Sequence, residues 1–280
     1  MNSLEIKAAA KINLSLSVTG IRGDGYHNID TVMQSVSLYD TLTVSRADKI
    51  TVECGEMSGE RNIAFKAAKL FFEHTGICGG AFIKIEKNIP DGAGLGGGSA
   101  DAAAVLAGLD RIYNTGLSYE TLSGLAARLG ADVPFMLRGG TARATGIGEI
   151  LEPLPALRDC FIIIAKNEQK PSTGEMYSAL DRTEYPQPDI SETVSALKSG
   201  SISRLSGTLR NSFSVLWKDS PLQRILEGTE AAAVSLSGSG PARFAVYQRR
   251  ATAESAEKVL KNKNIECFLC CPAEKSLVIE

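Results

Sequence analysis

Pro90 to Leu106 reads PDGAGLGGGSADAAAVL. Five of the seven residues from Gly92 to Gly98 are glycine, and an alanine-rich run follows without a break. Glycine admits positive φ and lets another group come close to the backbone. Successive exposed N–H groups then form an anion-binding nest, and the start of the next helix adds unpaired N–H groups and the positive end of its dipole. The segment is read as a phosphate-binding loop feeding a helix from Ser99 to about Tyr113. Ser99 stands where its hydroxyl can cap that helix or bind phosphate or Mg²⁺. A flexible linker is the plain alternative, but linkers rarely flow straight into an alanine-rich helix. Gly92, Gly94 and Gly97 also satisfy G-x-G-x-x-G, the dinucleotide fingerprint. That pattern needs a strand running into its first glycine and an acid ending the next strand. Here Lys87 to Asp91 intervene, and the acid near the right distance, Asp110, falls inside the helix. No Gly-Lys dipeptide occurs anywhere, which removes a Walker A loop.

Upstream, KINLSLSV (11–18) alternates, with Ile12, Leu14, Leu16 and Val18 on one side and Lys11, Asn13, Ser15 and Ser17 on the other. This predicts a strand with one buried face and one polar face. IRGDGYHN (21–28) is a glycine-punctuated turn, and 32–38, 41–45 and 50–54 read as further strands of a mostly antiparallel sheet. Asn62 is placed to cap a helix ending near Gly76, and AFIKIE (81–86) is a strand. A helix starts at Ser118 and ends at Gly130, read as a left-handed cap. LEPLPALRD (151–159) interrupts the pattern with two prolines and charges, which marks a boundary between domains 1–155 and 156–280. Beyond it come the strand FIIIA, a mainly helical stretch from 191 to 230, strand–glycine turn–strand in AVSLSGSGPARFAVY (233–247), a helix over 251–263 and strand at 265–280. Strands and helices mix without a strict βαβ rhythm, so the class is α+β.

Lys and Arg number 30 against 32 Asp and Glu, giving a net charge of −2 and no electrostatic reason to expect a nucleic-acid partner. No signal peptide or membrane-spanning run is read, so a cytoplasmic protein, monomer or homodimer, with a small-molecule substrate is expected. Of six cysteines only Cys267 and Cys270 make a C-x-x-C pair; it lacks a second ligand pair for zinc and sits in a strand-like run, so it is read as buried structure. With two histidines, neither near a serine elbow, no hydrolase triad emerges.

IPDGAGLGGGSADAAA resembles the phosphate-loop motif of the GHMP kinases (galactokinase, homoserine, mevalonate and phosphomevalonate kinases), and SLSGSGPARFAVY resembles their C-terminal glycine motif. KINLSLSVTGIRGDGYHNIDTVMQSVSLYD and LGADVPFML are similar to a branch of that family acting on a cytidine-diphosphate-linked polyol in nonmevalonate isoprenoid synthesis. The resemblance implies a two-domain fold with the site in the cleft between domains, Mg²⁺-ATP, and phosphorylation of a 2-hydroxyl. It implies Lys11 and Asp132 as the catalytic pair, and Pro90, Asp91, Gly92, Ala93, Gly94, Leu95, Gly96, Gly97, Gly98, Ser99 and Ala100 over the ATP phosphates. It also implies Asn62 near adenine, Tyr26 and His27 reading cytosine, Tyr177 as a second stacking aromatic, Asn13 positioning substrate, and Gly238, Ser239 and Gly240 closing the site. Two residues depart from the family: Asp91 puts an acid at the mouth of the loop, and Ala242 stands where threonine is usual.

The chemistry is coherent on its own terms. Phosphoryl transfer needs positioning, charge stabilisation and removal of the hydroxyl proton. Lys11 offers a point charge from the polar face of a strand. Asp132 follows a helix end and comes just before Val133-Pro134, which predicts an extended backbone there. A carboxylate so placed can accept a proton, and a nearby ammonium favours its ionised form.

Overall fold

The computed structural model describes residues 2–169 and 171–280. In chain order the strands are β1 (Ser3–Ile21), β2 (His27–Ala47), β3 (Thr51–Glu53), β4 (Gly80–Glu86), β5 (Thr141–Thr145), β6 (Ile150–Pro153), β7 (Phe161–Lys166), β8 (Ala233–Leu236), β9 (Arg243–Tyr247), β10 (Glu266–Cys270) and β11 (Leu277–Ile279). The helices are α1 (Ile63–Thr75), α2 (Gly97–Tyr113), α3 (Tyr119–Leu129), α4 (Val133–Arg138), α5 (Thr173–Leu180), α6 (Ile190–Lys198), α7 (Ile202–Ser206), α8 (Pro221–Glu227) and α9 (Arg250–Asn262), with a 3-10 turn at Ser212–Trp217. The class is α+β, as read from the sequence. One sheet runs β11-β1-β2-β4-β3, with β5 on β2 and β6 on β5; the second runs β10-β7-β9-β8. β3 and β4 are parallel, and the other strand pairs are antiparallel. Among the described residues no helix is long and apolar enough to cross a membrane.

The spine of the molecule is the β1–β2 hairpin. Its register pairs Lys11 with Ser35 and Asn13 with Met33. At its tip the Tyr26 amide donates to Asp24 Oδ1 (3.1 Å), and Gly25 takes φ 84°. The segments expected as separate strands at 32–38 and 41–45 are one strand, β2. No glycine or proline lies between them, and the shift of pairing between Ala9 and Ala10 absorbs the irregularity as a bulge.

The two halves of β1 serve different layers. Leu4, Ile6 and Ala8 pack beneath α1 and α2, with Phe71 fully buried beside them. Burying such a ring contributes roughly 1.5–3 kcal/mol. The alanine run of α2 has a purpose here: Ala100, Ala102, Ala103 and Ala104 are fully buried, and a Cβ on Gly108 would lie 2.6 Å from Ile6 Cδ1. Farther along, Ala10, Ile12 and Leu14 pack against Ile162 and Ile164 of β7 and Phe244 and Val246 of β9. The other face of this second sheet is covered by α8 and α9 through Leu222, Leu226, Ala256 and Leu260.

Four readings are corrected, after which the boundary tract and the C-x-x-C pair are placed in the fold. The polar face of β1 is not solvated: Lys11, Asn13, Ser15 and Ser17 are all buried, with Lys11 against Gly96 and Asp132 and Ser15 against Thr193 and Thr208. Their polarity is used, as in the Ser15 hydroxyl, which donates to Thr208 O (3.0 Å) and pairs with Thr193 Oγ1 (2.8 Å). Gly130 has φ 168°, an extended conformation rather than a left-handed cap. Asp132 is helical (φ −81°, ψ −17°), not extended, because Pro134 lies in the first turn of α4, where a missing N–H is harmless. α2 begins at Gly97, two residues before Ser99. The tract 151–159 carries β6, so the first sheet extends to Pro153, and β11 later returns to pair with β1. Cys267 and Cys270 do lie in a strand, β10, and burial, then the neighbouring Cys271, pushes the Cys270 thiol up to about 12.

Candidate active site

Lys11 is the centre of the site. Its ammonium donates to Asn13 Oδ1 at 2.6 Å and lies 3.3 Å from Asp132 Oδ2. The lysine side chain is 5% exposed and the aspartate 32%, so the cation is held from water while the carboxylate faces the cleft. Asp132 occupies the N-cap position of α4 without bonding a helix N–H, which leaves its oxygens available. Asn13 is oriented by a residue that the sequence did not flag. The Thr31 hydroxyl spends its only proton on Ser15 O (2.6 Å), so it accepts from Asn13 Nδ2 (2.9 Å) and turns Oδ1 toward Lys11.

The phosphate-loop residues take the form that their glycines allow. Gly92, Gly94 and Gly96 have φ of 62°, 82° and 72°. A side chain at Gly94 would strike Ser237 O, and one at Gly96 would strike Met136 Cε. The loop is clamped on both sides: Lys11 N donates to Leu95 O (2.9 Å), the Ser237 hydroxyl to Gly94 O (3.1 Å), and Ala242 N to Ala93 O (3.2 Å). Thus the residue standing for threonine, Ala242, still anchors the loop through its backbone. Asp91 is exposed, and its carbonyl accepts from Lys166 Nζ (2.8 Å).

Two cavities meet here. One of about 270 Å³ follows the loop and is lined by Pro90 through Ser99. The other, of about 820 Å³, opens between the hairpin tip, α5 and the Gly238–Ser239 turn. Gly94, Ser99, Asp132 and Thr173 line both. Ala100 lies buried beneath the loop. Asn62 lines neither cavity; its amide caps α1, accepting from Ala64 N (2.8 Å) and donating to Met57 O (2.9 Å), while the next residue, Ile63, lines the loop cavity.

At the far end of the large cavity, Tyr26 is 61% exposed. His27 is buried, stacks on Tyr177 (centroids 4.6 Å apart, planes at 27°), and places Nε2 2.7 Å from Asp181 Oδ1. Phe213 packs edge-on against Tyr177 at 4.9 Å. Burial, then the Asp132 carboxylate, raises the Tyr177 phenol above its ordinary range, so it stays protonated. Asn211, also unforeseen, accepts from Phe213 N (2.9 Å) and donates to Leu236 O and Gly238 O (3.0 and 2.9 Å), fixing Phe213 and the glycine turn together. Gly238 and Ser239 line the cavity, whereas Gly240 does not; a Cβ there would lie 2.9 Å from Trp217 Nε1.

Two sheets with packed helices, and a glycine-rich loop beside a lysine–aspartate pair, agree with the class that the comparisons give, the GHMP kinases. Residues 62–140 match the family described as GHMP kinases N terminal domain. The chain is 40% identical over 267 residues to 4-diphosphocytidyl-2-C-methyl-D-erythritol kinase of Alkaliphilus metalliredigens, covering 91% of this chain and 92% of that one. It is 38% identical to the Gloeobacter violaceus enzyme of the same name, covering 100% and 98%. A crystal structure of 4-(cytidine 5'-diphospho)-2C-methyl-D-erythritol kinase, 33% identical, superimposes with a TM-score of 0.80 over 96% of this chain and 99% of that one. The chain belongs to the 4-diphosphocytidyl-2-C-methyl-D-erythritol kinase family of GHMP kinases.

Proposed function

We propose that the protein uses ATP to phosphorylate the 2-hydroxyl of 4-diphosphocytidyl-2-C-methyl-D-erythritol, a step of nonmevalonate isoprenoid biosynthesis. The observation that carries this reading is the shared rim of the two cavities. Asp132 lies on the boundary between the phosphate loop and the large cavity, where an acceptor hydroxyl would meet a γ-phosphate.

In this mechanism Asp132 orients the hydroxyl and accepts its proton as the oxygen attacks phosphorus, a contribution of roughly 10²–10⁴ in rate. Lys11 keeps Asp132 ionised and offsets negative charge developing on the transferred group. Asn13 and Thr31 fix the lysine. The amides of Gly92 to Gly98 and the start of α2 hold the phosphates. Mg²⁺ would supply charge neutralisation when bound with the nucleotide, and the Ser99 hydroxyl is the protein oxygen that would hold it. Among the described residues no group of three His, Cys, Asp or Glu side chains is arranged to hold a metal. Cytosine is assigned to the end of the cavity formed by Tyr26, His27 and Tyr177, and adenine to the outer end of the loop near Asn62. The chain is divided after residue 155, with β11 returning to the first half.

Purified protein with Mg²⁺-ATP and this substrate should release one ADP per substrate consumed. ATP-dependent turnover of homoserine or mevalonate instead, with no cytidine requirement, would move the chain's activity to another GHMP kinase.

A further inference from the structure

The phosphate loop is held not only by the clamps on its rim but also by an ion cluster beneath it. β2 and β4 run side by side as far as Thr41 opposite Glu86. One residue farther, the ladder stops and a side chain takes over. Asp40, fully buried, accepts from the Asn88 and Ile89 amides through Oδ1 at 2.6 and 2.8 Å. Its Oδ2 pairs with Lys87 Nζ, and the same ammonium donates to Asp101 Oδ2 at 2.7 Å.

Asp101 belongs to α2, two residues beyond Ser99, and is 3% exposed. A single ammonium thus joins β2, the residues leading into the loop and the helix that leaves it. Lys87 Nζ also lies 3.2 Å from where a Cβ on Gly97 would be, hard against the first residue of α2, and Lys87 lines the loop cavity. The arrangement costs stability. Two buried carboxylates share one cation, and Asp101 Oδ1 has no hydrogen-bond partner among the described residues. An apolar trio would remove the orphaned oxygen but would leave the Asn88 and Ile89 amides without their acceptor.

We propose that Lys87, with Asp40 and Asp101, is a positioning residue for the nucleotide: the cluster sets the span between the two ends of the phosphate loop, and so governs ATP binding rather than the transfer step. This rests on the reading of the loop as an ATP site.

The test uses the full chain, with ATP binding by calorimetry, steady-state kinetics and thermal melting. Lys87→Met should raise the Kd and KM for ATP by at least ~10-fold, since a misplacement of about 1 Å in a positioned group is costly. At saturating ATP, kcat and the KM of the acceptor should stay within about threefold. The triple variant Lys87→Met/Asp40→Asn/Asp101→Asn leaves no charge in the cluster, and an amide oxygen at position 40 can still accept from the Asn88 and Ile89 amides. It should recover the melting temperature while ATP binding stays weak, and it serves as the test should the single variant not fold. A triple variant that melts like wild type and binds ATP like wild type would show that the cluster only supports the fold, and so overturns the proposal. Wild-type protein that binds no ATP would overturn the functional reading, and the cluster's role with it; wild-type binding with unaffected variants overturns the cluster's role alone.

Discussion

Asp132→Asn separates chemistry from architecture most cleanly. The change keeps the shape of the side chain and removes both its charge and its basicity. The Lys11–Asp132 separation of 3.3 Å gives an attraction of about 5 kcal/mol at an effective dielectric of about 20, before screening. The carboxylate is 32% exposed, so water reduces the stability actually lost to about 1 kcal/mol. Lys11 keeps its 2.6 Å bond to Asn13, so the cation is not stranded. The melting temperature should fall by only about 2–4 °C. Turnover should fall far more, by about 10³-fold, equivalent to about 4 kcal/mol in the barrier. ATP affinity, set by the loop, should stay within about threefold. ADP release at saturating ATP and acceptor measures the first quantity, and calorimetric titration with ATP the second. Wild-type turnover would remove Asp132 as the base. An equal loss of turnover and ATP affinity would place its role in nucleotide binding instead.

Gly94→Ala should abolish measurable ATP binding, because its φ of 82° and the clash with Ser237 O force the loop off its clamp; normal ATP affinity in a calorimetric titration would count against the loop geometry. Asp181→Ala should raise the KM for the cytidine-linked acceptor while leaving the KM for ATP unchanged, since Asp181 fixes only the His27 ring; equal effects on both substrates would break the assignment of the two cavities. Burial, then Lys87 pulling the other way and Asp40 pushing up, leaves the Asp101 carboxyl raised to about 7. A raised carboxyl holds its proton in the folded state while the unfolded chain has released it, so stability from this group falls as pH rises from about 4 to 7. Asp101→Asn should therefore melt higher than wild type by a margin that widens between about pH 5 and 7 and then levels; a margin independent of pH, followed by calorimetry, would refute it.

The features legible in the sequence are those whose cause is local. Glycines at alternate positions before an alanine run specify a loop and a close-packed helix, and both are present in the fold. Asn62 and Ser118 cap the helices they precede because the capping bond spans only two or three residues. What escaped notice depends on partners distant in sequence. The alternation in β1 predicts one polar face, yet Gly96 and Asp132 cover it at Lys11 and Thr193 and Thr208 at Ser15; periodicity records polarity, not what covers it. Thr31, Asn211 and Phe213 are ordinary residues until the hairpin register and the 3-10 turn bring them to Asn13 and Tyr177. Asp181 meets His27 across 154 residues, and Asp40 meets Lys87 across 47. Asp132 departs from expectation for a local reason: proline two residues on predicts an extended chain, but that proline sits inside the first turn of a short helix.

Transfer of phosphate from ATP to one hydroxyl of a cytidine-linked polyol is the reaction proposed for this cleft. It is tested most directly by incubating the protein with Mg²⁺-ATP and 4-diphosphocytidyl-2-C-methyl-D-erythritol and following the mixture by ³¹P nuclear magnetic resonance. One new phosphomonoester signal should grow in step with ADP, without the proton splitting that an ester on a CH or CH₂ position would show. No new phosphomonoester, or one formed equally well on methylerythritol lacking the cytidine diphosphate, would contradict it.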